Sequence, residues 1–281
     1  MRGQATGLIR VIHPFPSALD AAVTAALVLI AGGAPPVAAR LALAMFALQA
    51  AIGTANDLID QPLDAGRKTG KPLPRGLITR RSATALFLAA LGVGLALSAV
   101  SGPAVLLIAV AGTAIGLVYD RWLKATIWSW LPLAAGISLL PVYAWVGATG
   151  RLPSVFVVLV PAAVVAGAAL ALANQLADLD RDRAAGAITA ATSLGADRAR
   201  VATAVLHAVF VTVGVVTLVV VKGRGPGIIG VVAGAVLIAI GLAIGRNHGP
   251  AGTELAWELQ AIGVGVLGSG WVAAMADAGI F

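Results

Sequence analysis

From Val155 to Ala177 the chain carries no acidic or basic side chain, and that run alone limits what it can fold into. At about 1.5 Å per residue, some 20 apolar residues in a helix cross the roughly 30 Å hydrocarbon core of a bilayer. Similar runs recur at about 17–31, 37–59, 82–100, 103–119, 126–146, 155–177, 201–221, 228–244 and 255–276. They are rich in Ala, Leu, Val and Gly and lack the apolar-polar alternation of outer-membrane strands. Only 11% of the residues are charged and mean hydropathy is +0.97, whereas a soluble domain is about a quarter charged. The expected fold class is therefore all-α: a polytopic membrane protein of about nine transmembrane helices.

The charge that does exist is concentrated between the spans. The net charge of +7 would suit nucleic acid, but the basic residues sit in short loops, where membrane topology and anionic headgroups account for them. With the N-terminus placed in the cytoplasm, Arg40, Arg151, Lys222 and Arg224 lie outside, and the other 15 of the 19 lysines and arginines lie inside. The positive-inside rule therefore predicts a cytoplasmic N-terminus and, with nine spans, an external C-terminus. The absence of cysteine excludes disulfide and thiolate chemistry. Residues 1–16 are polar or proline-broken, so no cleavable signal peptide is expected, and the first span serves as the insertion signal.

Two acidic segments stand out against this background. Residues 56–76 read NDLIDQPLDAGRKTGKPLPRG, and residues 174–186 read NQLADLDRDRAAG. Each closes an apolar run, four spans apart, so both fall on the cytoplasmic side. The matched ends suggest two half-repeats, and binding sites form where such halves meet. Asn56, Asp60 and Asp64 are spaced i, i+4, i+8, as are Asn174, Asp178 and Asp182, so a helix places each set on one face with about 40° of drift per step. Two such ladders facing each other would make an oxygen-only cage for a hard cation, Mg²⁺ before Ca²⁺. One ladder alone reads equally well as a solvated helix end; the matched pair argues against that. Asp57 lies off the main face yet near enough to coordinate at the helix terminus, whereas Asp180 is expected to pair with a neighbouring arginine. Pro62 is expected to kink or end the first helix. No metal-ligand spacing links His13, His207 and His248.

The chain resembles the UbiA superfamily of intramembrane polyprenyltransferases. The family's NDxxDxxxD motif is matched by Asn56, Asp57, Asp60 and Asp64, and its basic-proline-glycine tail by Lys71-Pro72-Leu73-Pro74-Arg75-Gly76. Asp178 and Asp182 match the second motif, DxxxD, and are followed by Gly186, Thr189 and Leu194-Gly195. Tyr119, Lys124 and Arg10 match a tyrosine, a lysine and an N-terminal arginine found in many members. Two departures concern the grip on diphosphate: Gln175 stands where some members have Asp, and Ala187-Ile188 lack a basic residue before Thr189.

The resemblance implies a single transmembrane prenyltransferase domain over residues 1–281, its helices bundled around a central cavity. It implies a polyprenyl diphosphate and a small acceptor as substrates and Mg²⁺ as cofactor. Asn56, Asp57, Asp60, Asp64, Asn174, Asp178 and Asp182 are expected to hold the metal, with Asp60 and Asp178 decisive for catalysis. Arg10, Arg67, Lys68, Lys71 and Arg75 are expected at the substrate, with Lys124 helping to neutralise the diphosphate. Tyr119 has two open roles, steadying an allylic cation through its ring face or bonding the diphosphate. Asp120 is equally compatible with acceptor binding and with a local ion pair. Arg80 and Arg81 are read as headgroup anchors. The acceptor expected is aromatic, as in quinone or related lipid biosynthesis; glyceryl or ribosyl phosphates and porphyrins are the alternatives. Two other classes fit less well. An ion-coupled transporter would carry its acids at mid-span in broken helices, and a CDP-alcohol phosphotransferase would carry one continuous acidic motif.

Overall fold

A bilayer offers the backbone no hydrogen-bond partner, so apolar runs of this length must satisfy their amides internally. The computed structural model describes the backbone of residues 2–64, 70–247 and 250–281, and the side chains of residues 6–62, 70–246 and 252–281. Among the described residues every regular element is helical. In order these are α1 (Arg2–Val11), α2 (Pro14–Ile30), α3 (Pro35–Asp64), α4 (Arg80–Ala99), α5 (Pro103–Val118), a π turn (Tyr119–Leu123), a 3-10 turn (Ile127–Trp130), α6 (Leu131–Thr149), α7 (Phe156–Ala177), α8 (Leu179–Ala184), α9 (Ala190–Leu194), α10 (Ala196–Val220), α11 (Gly227–Asn247) and α12 (Pro250–Asp277). Eight stretches, from α3 onward and without the short α8 and α9, are long and apolar enough to cross a membrane; α2, at 17 residues, is the shorter ninth. Helices stand at all nine positions expected from the sequence, and eight of them reach the length and apolarity of a span.

The chain divides into two compact units, one of Met1–Arg121 with Val146–Gly150, the other of Trp122–Trp145 with Arg151–Phe281. In the first unit, α3 packs against α1, α2, α4 and α5. Its buried stripe of Leu41, Ala44, Leu48, Ala51 and Ala55 recurs every three or four residues, as one helix face requires. A small apolar cluster of Val11, Leu73, Ile78 and Ala83, with Leu58 packed on it, pins α1 and the segment after the first acidic motif to α4. That cluster fixes the backbone on either side of Leu73, and so the base of the Lys71 side chain.

Pro62 does not end α3, which continues to Asp64. A helical proline leaves the carbonyl four residues back without its amide, and here that carbonyl belongs to Leu58. The Arg80 guanidinium fills the gap, donating from Nη1 to Leu58 O at 3.1 Å and to Gln61 Oε1 at 3.0 Å. Arg80 therefore has a structural partner beyond the headgroup contact expected of it.

In the second unit, α7 is the most enclosed of the spans, with Ala166–Ala173 buried throughout. It packs against α10 and α12, and α11 lies along α12. The α11–α12 seam is made by glycines: a Cβ on Gly234 would stand 2.5 Å from Gly263 O, and one on Gly270 would stand 2.6 Å from Gly227 O. Small residues of this kind let membrane helices approach backbone to backbone. Between α10 and α12, buried His207 and Gln260 share a hydrogen bond of 3.0 Å.

Candidate functional site

The last turns of α3 carry the first acidic motif into a largely enclosed setting: Asp57 is 2% exposed and Asp60 is 6% exposed. Asp120, on the π turn after α5, is equally buried at 6%. Asn56 Nδ2 donates to Asp120 Oδ1 at 2.6 Å, and Lys71 Nζ lies 3.4 Å from Asn56 Oδ1. A carboxylate can only accept and an ammonium can only donate, so the two neighbours fix which way the Asn56 amide points. Lys71 also forms an ion pair with Asp57 Oδ1. The sequence leaves Asp120 between acceptor binding and a local ion pair; its bond to the neutral Asn56 amide is neither of these.

His13 belongs to this network, although its spacing in the sequence suggested no role. It joins α1 to α2 in a left-handed backbone conformation (φ 50°), with its Nε2 3.1 Å from Asp57 Oδ1. Gly53, one turn before Asp57, makes room for it, since a Cβ there would meet the imidazole at 3.0 Å. The sequence signal was faint: a His-Pro pair at the head of the first span.

Arg10 and Arg75 are exposed and Tyr119 is half-buried. Asp64 is the final residue of α3, but its side chain, like Arg67 and Lys68 altogether, lies outside the described residues. Deeper along α3, Gln49 Nε2 donates to Asp20 Oδ2 of α2 at 2.5 Å. Gln49 precedes Asn56 by seven residues and Asp60 by eleven, which places all three on one helix face.

In the second unit the acidic ladder is not one continuous helix. α7 ends at Ala177, Asp178 is the joint (φ −102°, ψ 4°), and α8 starts at Leu179. Asp182 N still donates to Asp178 O at 2.9 Å, so one helical turn links the two aspartates across the joint. The break has a local cause: acids at 178, 180 and 182 favour the start of a new helix, where free amides and the positive dipole end lie. Asp178, 35% exposed, pairs with Arg181, and Asp180 pairs with Arg183 at 3.7 Å, the latter as expected. Asn174 and Asp182 are half-buried.

Gln175, where some members of the resembling family carry Asp, acts here as a clamp. Buried at 6% exposure, it donates to Ser129 Oγ at 3.1 Å and accepts from Ala191 N at 3.0 Å. It thus joins α7 to the 3-10 turn and to the first turn of α9, whose cap is Thr189. Ile188 N bonds Ala125 O at 3.2 Å, which brings the loop carrying half-buried Lys124 beside the segment trailing the second motif.

Among the described residues no three His, Asp or Glu side chains converge as a metal site would require. In the first unit His13 and Lys71 hold Asp57, and Asn56 bonds Asp120. The donor chemistry nevertheless fits a hard cation, because Asn56 Oδ1 and Asp57 Oδ1 already share one, the Lys71 ammonium.

A family model described as UbiA prenyltransferase family matches residues 21–259. Chlorophyll synthase of Oryza sativa subsp. japonica is 30% identical over 158 residues, covering 52% of this chain and 42% of that protein. Digeranylgeranylglyceryl phosphate synthase of Korarchaeum cryptofilum is 31% identical over 146 residues, covering 51% of each. The chain thus spans about half the length of the relatives it matches. Among solved structures, a UbiA homologue from Archaeoglobus fulgidus bound to GPP and Mg²⁺ superposes with a TM-score of 0.73 at 18% identity, covering 96% of this chain and 99% of that one.

Proposed function

Because the chain belongs to the UbiA prenyltransferase family, we propose that it transfers an isoprenyl group from a polyprenyl diphosphate to a small acceptor. The observation that carries this is the buried set of Asp57, Asp60 and Asp120, with half-buried Asn56 bonded to Asp120 and a lysine already held against Asp57. Buried carboxylates in such number are costly unless cations compensate them, and a diphosphate with a divalent metal supplies both the charge and the reason to keep the acids.

Metal binding is assigned to Asn56, Asp57, Asp60 and Asp64 of the first motif, and to Asn174, Asp178 and Asp182 of the second. Bound Mg²⁺ would neutralise the charge that grows on the departing diphosphate. Asp120 fixes the Asn56 amide so that its oxygen is the atom offered to a cation. Lys71, Arg75, Arg67, Lys68, Arg10 and Lys124 are assigned to the diphosphate, and Tyr119 to the cationic carbon or the diphosphate. In the transfer the allylic carbon–oxygen bond breaks, its electron pair leaving with the diphosphate. The acceptor donates a pair to the same carbon and releases a proton. Water must be kept from the cationic carbon, because hydrolysis would otherwise take the acceptor's place.

An aromatic acceptor is the first reading, as the commonest use of the resembling family, and an anionic one would suit the basic face. The names of the two relatives favour a second, an acceptor of glyceryl phosphate or porphyrin type. The proposed orientation places the N-terminus and both motifs in the cytoplasm and the C-terminus outside, resting on the distribution of the 19 basic residues. Residues 1–281 are proposed to act as one catalytic domain. The test is to incubate purified protein and Mg²⁺ with prenyl diphosphates of several lengths and representatives of each acceptor class, following diphosphate release and product mass. Acceptor-dependent release that EDTA abolishes is expected; no release with any pair overturns the proposal.

A further inference from the structure

We propose that the Lys71 ammonium is an exchangeable counter-ion that occupies the cation place of the first acidic motif and couples divalent-metal binding to diphosphate binding. The inference rests on the prenyl-transfer reading and adds an order of events to it. Lys71 Nζ lies against Asp57 Oδ1 and 3.4 Å from Asn56 Oδ1. These are oxygens of the same kind, on the same turn of α3, that a hard cation would take. A lysine and a divalent ion on one pair of oxygens repel strongly in an enclosed setting, so one must leave before the other is bound tightly.

Lys71 is built to leave. Its backbone is held, since the neighbouring Pro72 and Leu73 are buried and Leu73 is locked among Val11, Ile78 and Ala83. Leu77 N donates to Pro72 O at 3.0 Å, closing the turn. The ammonium is carried on a four-carbon stem that can swing without moving that backbone. His13 Nε2, 3.1 Å from the same Asp57 oxygen, keeps the carboxylate in place while the lysine moves. A diphosphate gives the displaced ammonium a new anion to bind. Without it, a metal entering the motif strands the lysine charge; with it, both cations are compensated. Metal and diphosphate therefore favour each other's binding, and by linkage the coupling acts equally in both directions.

The experiment uses the full chain in detergent and two probes. Mn²⁺ alone, followed by electron paramagnetic resonance, is expected to bind Lys71→Met at least tenfold more tightly than the unaltered protein. Lys71→Gln, which retains a donor for Asp57, is the second variant with the same expected gain, and Lys71→Arg, which retains the charge, is expected to show none. The affinity for geranyl thiolodiphosphate, a non-ionising analogue, is then measured with and without Mg²⁺. Its enhancement by Mg²⁺ is expected to shrink at least tenfold in Lys71→Met. Equal or weaker Mn²⁺ binding by both neutral variants overturns the proposal. Failure of the unaltered protein to bind the analogue at any Mg²⁺ concentration counts against the prenyl-transfer reading instead, and leaves the Mn²⁺ comparison to decide the role of Lys71.

Discussion

Arg80 donates to the carbonyl of Leu58 at 3.1 Å, the one oxygen in α3 that Pro62 deprives of its helical amide. A proline near the end of a helix is tolerated when something else satisfies that oxygen, and here a guanidinium from the start of the next helix does so. Arg80→Ala should therefore lower stability by about 1 kcal/mol, the net worth of an ordinary hydrogen bond discounted for an exposed donor. Pro62→Ala restores an amide facing Leu58 O, so the same arginine deletion should cost less in that background. Thermal unfolding of the four proteins in detergent measures this coupling, and equal costs in both backgrounds would remove the assigned link.

Gln175 makes a second such repair between elements. Its side chain bonds both Ser129 Oγ and the Ala191 amide while buried. Gln175→Leu keeps the size but leaves a helix-terminal amide and a serine hydroxyl without this partner, at a cost of about 2 kcal/mol. The melting temperature should fall accordingly, and α9 should show faster amide hydrogen exchange. A variant as stable as the parent would mean that the clamp contributes nothing.

These two residues also show what a sequence of this kind discloses. The spans were legible because a bilayer leaves a long apolar run no alternative to helix, and the two acidic motifs because charge is rare elsewhere. Partnerships across the chain were not. His13 and Asp57 are 44 residues apart, and nothing in their spacing announces that Gly53 opens the space between them. Asp178 fits a continuous i, i+4 ladder on paper, yet α7 stops one residue before it, because a run of acids serves equally well to begin a new helix. Lys71 illustrates the same limit: its position in a basic loop pointed toward phosphate, and only the fold shows Asp57 and Asn56 as its partners.

The glycine seam between α11 and α12 supports a graded prediction. A Cβ on Gly234 would come within 2.5 Å of Gly263 O and Leu267 N, all backbone that cannot turn aside. Gly234→Ala should force the helices apart and cost about 2 kcal/mol or more. Gly268, on α12, meets nothing within 4 Å, so Gly268→Ala should be neutral or stabilising by about 0.5–1 kcal/mol through its helix propensity. The two substitutions are chemically identical, and unfolding in detergent should separate them; similar effects would mean the seam is not close-packed.

The metal assignment makes its sharpest prediction at Asp60 and Asp178. Asp60 is 6% exposed near the end of α3, whereas Asp178 stands at the joint of α7 and α8 against Arg181. Asparagine preserves the shape of each and removes the charge that a divalent cation needs. Asp60→Asn and Asp178→Asn should each lower diphosphate release about a hundredfold or more with little change in melting temperature. Arg181→Ala should cost less than tenfold, because its pair with Asp178 is exposed and worth little by itself. EDTA should reproduce the loss in the unaltered protein, and added Mg²⁺ should reverse it. Full turnover in both aspartate variants, or in EDTA, would show that neither motif works through a metal.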